Sequence, residues 1–340
     1  GPPLRSSRPK DPQGIAMATT NASTTPDFPR DRLSNVSSTV AGPNDVAPKK
    51  TTLRKIVRSM PLRVKVASLW LLLVVFGAIY AKLDMSLFGG ALPLQDPNFQ
   101  TNGFIRETGE FGTGKPIEGM SGAHWLGTDA IARDTFARIV HGSWVSLVVV
   151  VVSACCGVII GGFLGSLVGF VRGRVETIVM ATVDVILAFP ALVLLLALVS
   201  IFEVRNLFVI SAVIGVLSIP AYTRVARANS LAISSREFVT AARAIGTKPS
   251  RILLREIIPN VLPTLLAYTM VAAAYVVVVE GSLSFLGLSV QLPTPTWGNM
   301  INQARRDIKI NVAQVIWPSL ALTLTVLSLN QVGDFFQQRR

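Results

Sequence analysis

SSREFVTAARAIGTKPSRILLREIIP, residues 234–259, is the longest polar segment that lies between two strongly apolar runs of this chain. Ser234 and Glu237 have the spacing of a capping box, in which two side chains bond free backbone N–H groups at a helix start. Three alanines follow, Ala241, Ala242 and Ala244. Alanine combines a high helix propensity with a small side chain. The pattern predicts a short, smooth helix.

The second half of this stretch predicts a turn and a further helix. Gly246 lies where a helix needs a left-handed residue to end, and Pro249 prevents simple continuation of the first helix. A second short helix over about residues 250–258 is then expected before Pro259. A small basic helical hairpin between two apolar runs suggests a surface that binds another protein.

The composition points to a membrane protein. The 340 residues are 50% hydrophobic and 15% charged, whereas soluble domains carry about 25% charged residues. The net charge is +13, but the basic residues cluster at the ends of apolar runs and form no patch with interleaved aromatics, which argues against a nucleic-acid partner. Cys155 and Cys156 are adjacent in an apolar run, so we interpret them as small buried hydrophobic residues rather than metal ligands.

Six apolar runs are each long enough to cross about 30 Å of hydrocarbon. The fold class is therefore predicted to be an all-α membrane protein with six transmembrane helices. Pro190 and Pro220 interrupt two of the runs and are candidates for functional or ordinary packing kinks. The runs cover residues 66–81, 143–170, 177–202, 206–223, 260–288 and 313–333.

Polar segments flank this membrane domain. Residues 1–52 are rich in Pro, Ser, Thr and Asn and are predicted to be disordered; within them, residues 1–16 precede Met17, which suits a native start. Residues 53–65 are basic and weakly amphipathic, as in a helix on the membrane surface or in an ordinary positive flank. The six-span domain and a short tail complete the chain, residues 66–334 and 335–340.

Lys and Arg are unevenly distributed between the two sides of the predicted spans. If both termini are cytoplasmic, eighteen of these residues from position 49 onward lie on the inner side and nine on the outer side. Inner loops of membrane proteins carry the excess of Lys and Arg. The bias therefore predicts cytoplasmic N and C termini and places residues 234–259 in the cytoplasm.

Four sequence blocks carry a family resemblance. They are HWLGTD at 124–129 with Arg133 and Asp134, the stretch at 234–259, EGSLSFLG at 280–287 with PTWG at 295–298, and NQVGD at 330–334. In this order they resemble the permease subunits of peptide-family ABC importers, specifically the dipeptide and oligopeptide type called the C permease. Ala132 stands where the first block of that family usually has glycine.

Residues 234–259 resemble the cytoplasmic EAA loop of these permeases. Ala241, Ala242, Gly246 and Pro259 fall on positions of that loop, and Glu237 matches an acid common in the peptide subfamily. Thr240 stands where the usual acid would be, directly before the alanines. The resemblance implies that this loop couples the permease to an ATPase subunit.

The resemblance covers about residues 66–334 and implies the whole machinery. It implies the type I importer permease fold in a bacterial plasma (inner) membrane, a second homologous permease, two ABC ATPase subunits and an extracytoplasmic substrate-binding protein. ATP and Mg are then expected only in the ATPases, and no cofactor, metal or catalytic residue in this chain. Short peptides are the expected substrates, and close relatives carry nickel chelates or glutathione instead.

Two acids, Asp184 and Glu280, lie at membrane depth, where an unpaired charge is costly. They are therefore expected to face protein or water. In a translocation path they would meet a cationic group such as a peptide amine; the alternatives are interhelical hydrogen bonding and a contact in a gate.

Polar residues His124, Asp129, Arg133 and Asp134 lie in the predicted outer segment, and a helix is expected over about residues 129–141. They frame an outer gate or form a docking surface for the binding protein. Two histidines in the whole chain argue against a metal or catalytic cluster.

Glycines recur at close spacing in the second run, and G-x-x-x-G spacing allows helices to cross closely. They are expected to pack within the chain or against the second permease. The glycines are Gly157, Gly161, Gly162, Gly165 and Gly169.

Other function classes fit the sequence less well. Residues 109–115 have the spacing of a phosphate-binding loop, but Pro116 replaces the Ser or Thr that binds magnesium. An intramembrane hydrolase needs a nucleophile beside a base, and neither His124 nor His141 lies in a predicted span. An ATP-independent secondary transporter often has inverted repeats, and the first three runs do not match the last three.

Overall fold

The computed structural model describes residues 59–84, 86, 96–99, 104–105, 110–111, 116–122, 124–202 and 206–338. Within these ranges the chain is almost entirely helical, with one antiparallel pair of two-residue strands, Phe104–Ile105 and Glu110–Phe111. The helices are α1 (Leu62–Leu83), α2 (Thr135–Val171), α3 (Arg174–Ala188), α4 (Ala191–Phe202), α5 (Leu207–Ser234), α6 (Glu237–Ala244), α7 (Pro249–Phe285), α8 (Trp297–Ala304) and α9 (Ala313–Gln338).

Some predictions lie outside the described residues. These are the disordered segment 1–52, most of residues 109–115, and residues 53–58 of the basic segment. The described end of the basic segment is a turn followed by the first residues of α1, which begins at Leu62.

Five helices, α1, α2, α5, α7 and α9, are each long and apolar enough to cross a membrane. Helices α3 and α4 provide a sixth span if the bent pair is counted as one. The predicted all-α membrane class is thereby confirmed. Several helices extend beyond the apolar runs; α5, for example, continues to Ser234, whereas its run ends at residue 223.

The third apolar run is broken at Pro190. Helices α3 and α4 meet at an angle of 87°, and Phe189 between them has extended backbone angles. Proline disfavours the helical conformation of the residue before it and supplies no N–H, so the helix ends there. Pro220, in contrast, lies buried inside α5, which continues through it.

Glycines of α2 pack against α5 at four-residue intervals. A Cβ added to Gly161 would lie 2.7 Å from the carbonyl oxygen of Ile219, and one added to Gly169 would lie 2.7 Å from that of Arg227. Gly165 between them faces the backbone of Thr223 in the same way. Of the two expected roles, these glycines therefore serve close packing within the chain. Gly162 faces α7 instead, through the side chain of Leu265.

The buried core follows these helix contacts. One cluster joins α2, α4, α5 and α7, and a second packs α7 against α9 around Trp297 of α8. Helix α1 lies against α2 and α9, and Trp70 Nε1 donates a 3.0 Å hydrogen bond to Thr325 Oγ1 of α9. A third cluster, described below, fixes the 234–259 segment to α5.

The adjacent cysteines are both free. Cys155 is exposed and Cys156 is half-buried, so the predicted burial is wrong for Cys155. The reason is that α2 presents a broad apolar surface on this side, and apolar character does not distinguish a lipid-facing residue from a buried one. The described part of the chain contains no group of three or more His, Cys, Asp or Glu that could hold a metal ion.

Candidate functional site

The first helix of the 234–259 segment, α6, does not begin with the predicted capping box. Ser234 still belongs to α5, and its hydroxyl donates to the carbonyl oxygen of Leu231 at 3.0 Å. Arg236 is the N-cap residue of α6 and provides no side-chain cap. The prediction is wrong because the last turn of α5 already uses the serine that the motif would need.

Gly246 ends the turn after α6 in the left-handed conformation, with φ of +76°. The N–H of Thr247 donates to the carbonyl oxygen of Ala242, and that of Gly246 donates to Arg243, both at 3.0 Å. These are the two bonds of a Schellman motif, which satisfies carbonyls at a helix end. The predicted conformation of Gly246 is confirmed.

The second helix of the segment is part of a span. Pro249 is the first residue of α7, which continues through Pro259 to Phe285, so the predicted short helix over 250–258 is wrong. A π-helical turn, Leu253–Ile257, ends two residues before Pro259. Its wider bonding pattern already departs from the regular α ladder where proline provides no N–H.

A buried cluster attaches α6 to the spans. Val239 is completely buried and belongs to one core cluster with Ile252 and Ile257 of α7 and Tyr222 and Ala226 of α5. Each buried aliphatic side chain stabilises such a contact by about 1.5–3 kcal/mol. We call α6 with the turn and the first residues of α7, residues 236–258, the hairpin. It is a rigid extension of α5 and α7.

Apolar side chains are exposed on the hairpin. Ile245, in the turn at its tip, is 82% exposed, and Phe238 and Leu254 are exposed elsewhere on its surface. Of the residues predicted for coupling, Gly246 is exposed beside Ile245, Glu237 and Ala241 are exposed along α6, and Ala242 is half-buried against the cluster. Pro259 is exposed but lies at the base of the hairpin, so the structure does not bring it to the tip.

Glu280 lies at the other end of α7 and is only 1% exposed. Its carboxylate accepts hydrogen bonds from Ser284 Oγ at 3.0 Å, Ser289 Oγ at 3.4 Å and Ser146 Oγ at 3.5 Å. Ser284 also shares a 2.6 Å hydrogen bond with Thr296. The acid therefore faces protein, and its hydroxyl partners join α7 to α2 and to the loop before α8. Sequence reasoning did not predict that these serines bond to Glu280.

Asp184 is paired across two helices. Arg224 Nη2 of α5 donates to Asp184 Oδ1 of α3 at 2.6 Å, and Arg227 Nε donates to Glu176 at 2.6 Å nearer the start of α3. Asp184 lies ten positions from Arg174 at the start of α3, and Arg224 lies ten from Ser234 at the end of α5. Each distance is about 15 Å along its helix; Asp184 lies within the predicted run 177–202, and Arg224 directly follows the predicted run 206–223.

The residues predicted at the outer face form one connected cluster. His124 Nδ1 is 2.8 Å from Asp134 Oδ2, and Asp134 Oδ1 caps α2 by accepting from the N–H of Ala137 at 2.7 Å. Arg133 Nε donates to Asp129 Oδ2 at 2.7 Å. Helix α2 begins at Thr135, so a helix from residue 129 was predicted wrongly.

Ala132 explains why the outer helix begins late. Its φ is +60°, a left-handed conformation that glycine adopts readily and alanine does not. Asp129 stabilises this turn by accepting the backbone N–H groups of Ile131 and Arg133, each at 3.0 Å. A non-helical turn therefore occupies the positions before Thr135.

A cavity of about 840 Å³ opens between this outer cluster and the region of Glu280. Its lining includes Asp129, Arg133, Arg138, Ser284, Ser289 and Gln303. Arg133 Nη2 donates to Gln303 at 2.9 Å, which links the outer cluster to α8. Of the predicted site residues, Asp129 and Arg133 line this cavity, together with Ser284 and Ser289, the hydroxyl partners of Glu280. Asp184 pairs with Arg224 elsewhere, and the hairpin lies at the opposite end of α7.

Comparison with known proteins supplies the family. Residues 157–339 match the family model described as binding-protein-dependent transport system inner membrane component. The chain is 40% identical over 217 residues to the glutathione transport system permease protein GsiD of Pectobacterium atrosepticum, covering 64% of this chain and 72% of the relative.

The GsiD protein of an Escherichia coli strain is 38% identical over 216 residues, covering 64% of this chain and 71% of the relative. The GsiD protein of Shigella sonnei gives the same figures, 38% over 216 residues. The family match, together with helices long enough for five or six spans, gives one conclusion. The chain belongs to the binding-protein-dependent transport system inner membrane components and is a multi-pass permease subunit of an ABC importer.

Proposed function

We propose that this permease subunit moves short peptides, glutathione among them, into the cell. The relatives are glutathione transport permeases, and glutathione is itself a short peptide. A free peptide carries both an ammonium and a carboxylate group. The exposed pair of Asp184 and Arg224 offers one partner for each of these groups.

The proposed machinery contains a second permease, two ATPase subunits that bind ATP and Mg, and an extracytoplasmic binding protein. In it, this chain forms part of the path and contributes no catalytic residue, cofactor or metal site. The observation that carries the coupling role is the hairpin: Val239 anchors it in the core, while Ile245 is 82% exposed at its tip. An apolar tip on a fixed base suits a groove on an ATPase.

The proposed coupling is mechanical. Closure of the ATPases would move the hairpin, and the buried cluster around Ile252 and Ile257 would pass this motion to α5 and α7. Helix α7 extends without a break to Glu280 beside the outer cavity. Motion at the inner surface would thus reach the hydroxyl contacts of Glu280, which we assign to the outer gate.

Asp184 with Arg224 is assigned to the translocation path. Both side chains are more than half exposed in the isolated chain, at 61% and 53%. Asp184 lies within a predicted apolar run, and a charged side chain there is not expected to face hydrocarbon. A water-filled path between two permeases would satisfy both groups. The outer cluster around Asp129 and Asp134 is assigned to the face that meets the binding protein.

Reconstitution tests this proposal. The complex that copurifies with the chain is placed in vesicles, the binding protein is added, and uptake of glutathione, a dipeptide and a nickel chelate is measured with and without ATP. ATP-dependent uptake of the two peptides is expected. ATP-independent uptake would indicate a secondary transporter, and uptake of the nickel chelate alone would contradict the peptide assignment. Recovery of this chain without any ATPase would contradict the coupling role.

A further inference from the structure

A second cavity, of about 590 Å³, lies between the end of α2 and the hairpin. Its polar lining consists of the guanidinium groups of Arg172 and Arg243 and the hydroxyls of Ser234, Ser235 and Thr240. No acid is among the residues that line it, and Glu237, on the same short helix as Arg243, is not part of the lining. The cavity therefore has the chemistry of an anion site.

Few protein groups offset the positive charges of these two guanidinium groups. Arg172 Nη2 donates to Ser234 Oγ at 3.4 Å, and the guanidinium carbon of Arg243 lies 5.2 Å from the centre of the Phe170 ring. In the part of the chain that the structure describes, no carboxylate lies within 4 Å of either group. An anion in the cavity would provide the charge partner that these groups lack.

The backbone at Arg172 provides an independent indication. Its φ of +61° and ψ of −171° lie in a region that residues other than glycine rarely adopt. Such conformations persist where the surroundings hold them and are concentrated at binding and switch sites. Here the unusual backbone ends α2 and leaves the Arg172 side chain at the cavity.

The location favours a lipid over a small ion. The cavity lies at the end of α2 and the end of α5, on the side that the Lys and Arg distribution assigns to the cytoplasm. Val171, which also lines it, is 53% exposed. An apolar side chain beside two cations matches a phospholipid, with acyl chains along α2 and a phosphate at the guanidinium groups.

We propose that this cavity binds the headgroup phosphate of an anionic phospholipid from the inner leaflet. The bound phosphate would bridge Arg172 at the end of α2 and Arg243 on α6. It would thereby tether the hairpin to the second span, so that anionic lipid tunes how freely the hairpin moves. Binding itself does not depend on the proposed coupling role, whereas the effect on transport does.

Native mass spectrometry of the assembled complex tests the binding. Phosphatidylglycerol is titrated into the detergent-solubilised complex, with phosphatidylcholine as the comparison lipid. The R172A/R243A variant is expected to bind phosphatidylglycerol at least about tenfold more weakly, because two charge-assisted hydrogen bonds are lost. R255A removes an exposed arginine outside the cavity and is expected to bind as the unaltered complex does. Equal binding by R172A/R243A and R255A would overturn the proposal.

Two further measurements distinguish a phospholipid from other occupants of the cavity. Inorganic phosphate alone is expected not to raise the unfolding temperature of the delipidated complex, whereas phosphatidylglycerol should raise it. Equal stabilisation by inorganic phosphate would mean a free-anion site and would overturn the lipid assignment. Efficient cross-linking of Arg172→Cys, which lies outside the hairpin, to an ATPase subunit would mean that a protein segment fills the cavity, which would also overturn it.

A conservative variant separates binding from folding. R172K/R243K keeps both charges and is expected to bind phosphatidylglycerol more tightly than R172A/R243A. Binding of the two variants at the same weak level, with both complexes intact by size-exclusion chromatography, would contradict a role for these charges.

Discussion

Asp184 accepts a 2.6 Å hydrogen bond from Arg224 across α3 and α5, and both side chains remain more than half exposed. Exposure weakens such a pair as a source of stability, because solvent screens it. The position of Asp184 within the predicted run 177–202 instead indicates what surrounds the pair, because a charged side chain there is not expected to face lipid. The face of α3 and α5 that carries this pair is expected to meet water or the second permease.

Thiol labelling in the assembled importer tests this expectation. With Cys155 and Cys156 replaced by Ser, Asp184→Cys is expected to react with a membrane-impermeant thiol reagent added from a water-filled side. Val185→Cys is the matched control, because Val185 is also 61% exposed but points about 100° away around α3. Equal labelling at the two positions, or none at position 184, would contradict the assignment to the path.

Gly246 is expected to be required for coupling through its conformation. Its φ is +76°, and a Cβ there would meet nothing within 4 Å, so backbone strain and not crowding opposes other residues. Gly246→Val should shift the turn and reduce ATP-dependent uptake at least about tenfold, given about 1–2 kcal/mol of left-handed strain. Gly246→Asn, which tolerates this region, should retain most activity. Membrane insertion of both variants is checked by their yield in membranes; equal uptake by the two would contradict the prediction.

Glu280 is expected to matter for transport more than for assembly. Glu280→Gln keeps the shape of the side chain but replaces one acceptor by a donor that faces serine hydroxyls. Uptake should fall by about tenfold or more, which corresponds to about 1.4 kcal/mol at the outer gate. Affinity for the binding protein, measured by pull-down, should stay unchanged. Full transport by Glu280→Gln would argue against a gate role, and loss of the assembled complex would argue for a structural one.

Ala132→Gly is expected to stabilise the protein. The alanine holds a φ of +60°, which glycine adopts without the penalty of a Cβ. Relief of about 1 kcal/mol should raise the unfolding temperature by about 2–4 °C. Ala130→Gly, two residues away at an exposed position without positive φ, should lower it or leave it unchanged. A decrease for Ala132→Gly would show that the turn does not strain this residue.

The spans and the left-handed turn were predictable because their signals are local. Long apolar runs predict membrane helices whatever their neighbours, and Gly246 follows a helical pattern directly. The start of α6 was not predictable in the same way. Ser234 fits both a cap and the last turn of α5, and only the continued packing of α5 against α2 decides between them.

The partners of the membrane acids depend on tertiary structure. Arg224 is 40 positions from Asp184, and Ser146 is 134 positions from Glu280, so no spacing rule connects them. Pro190 illustrates a second reason why the sequence did not predict the structure in full. Its presence indicates an interruption, but proline produces anything from a slight kink to a full break, and here the helices turn by 87°.

Helix α7 contains 37 residues without a break. At 1.5 Å per residue it is about 55 Å long, and it carries hairpin contacts at one end and the Glu280 hydroxyl network at the other. If one stiff element couples two binding sites, the effect of each ligand on the affinity for the other is equal. If ATPase engagement changes the affinity of the outer face for a loaded binding protein by some factor, the loaded binding protein must change the affinity for the ATPase by the same factor.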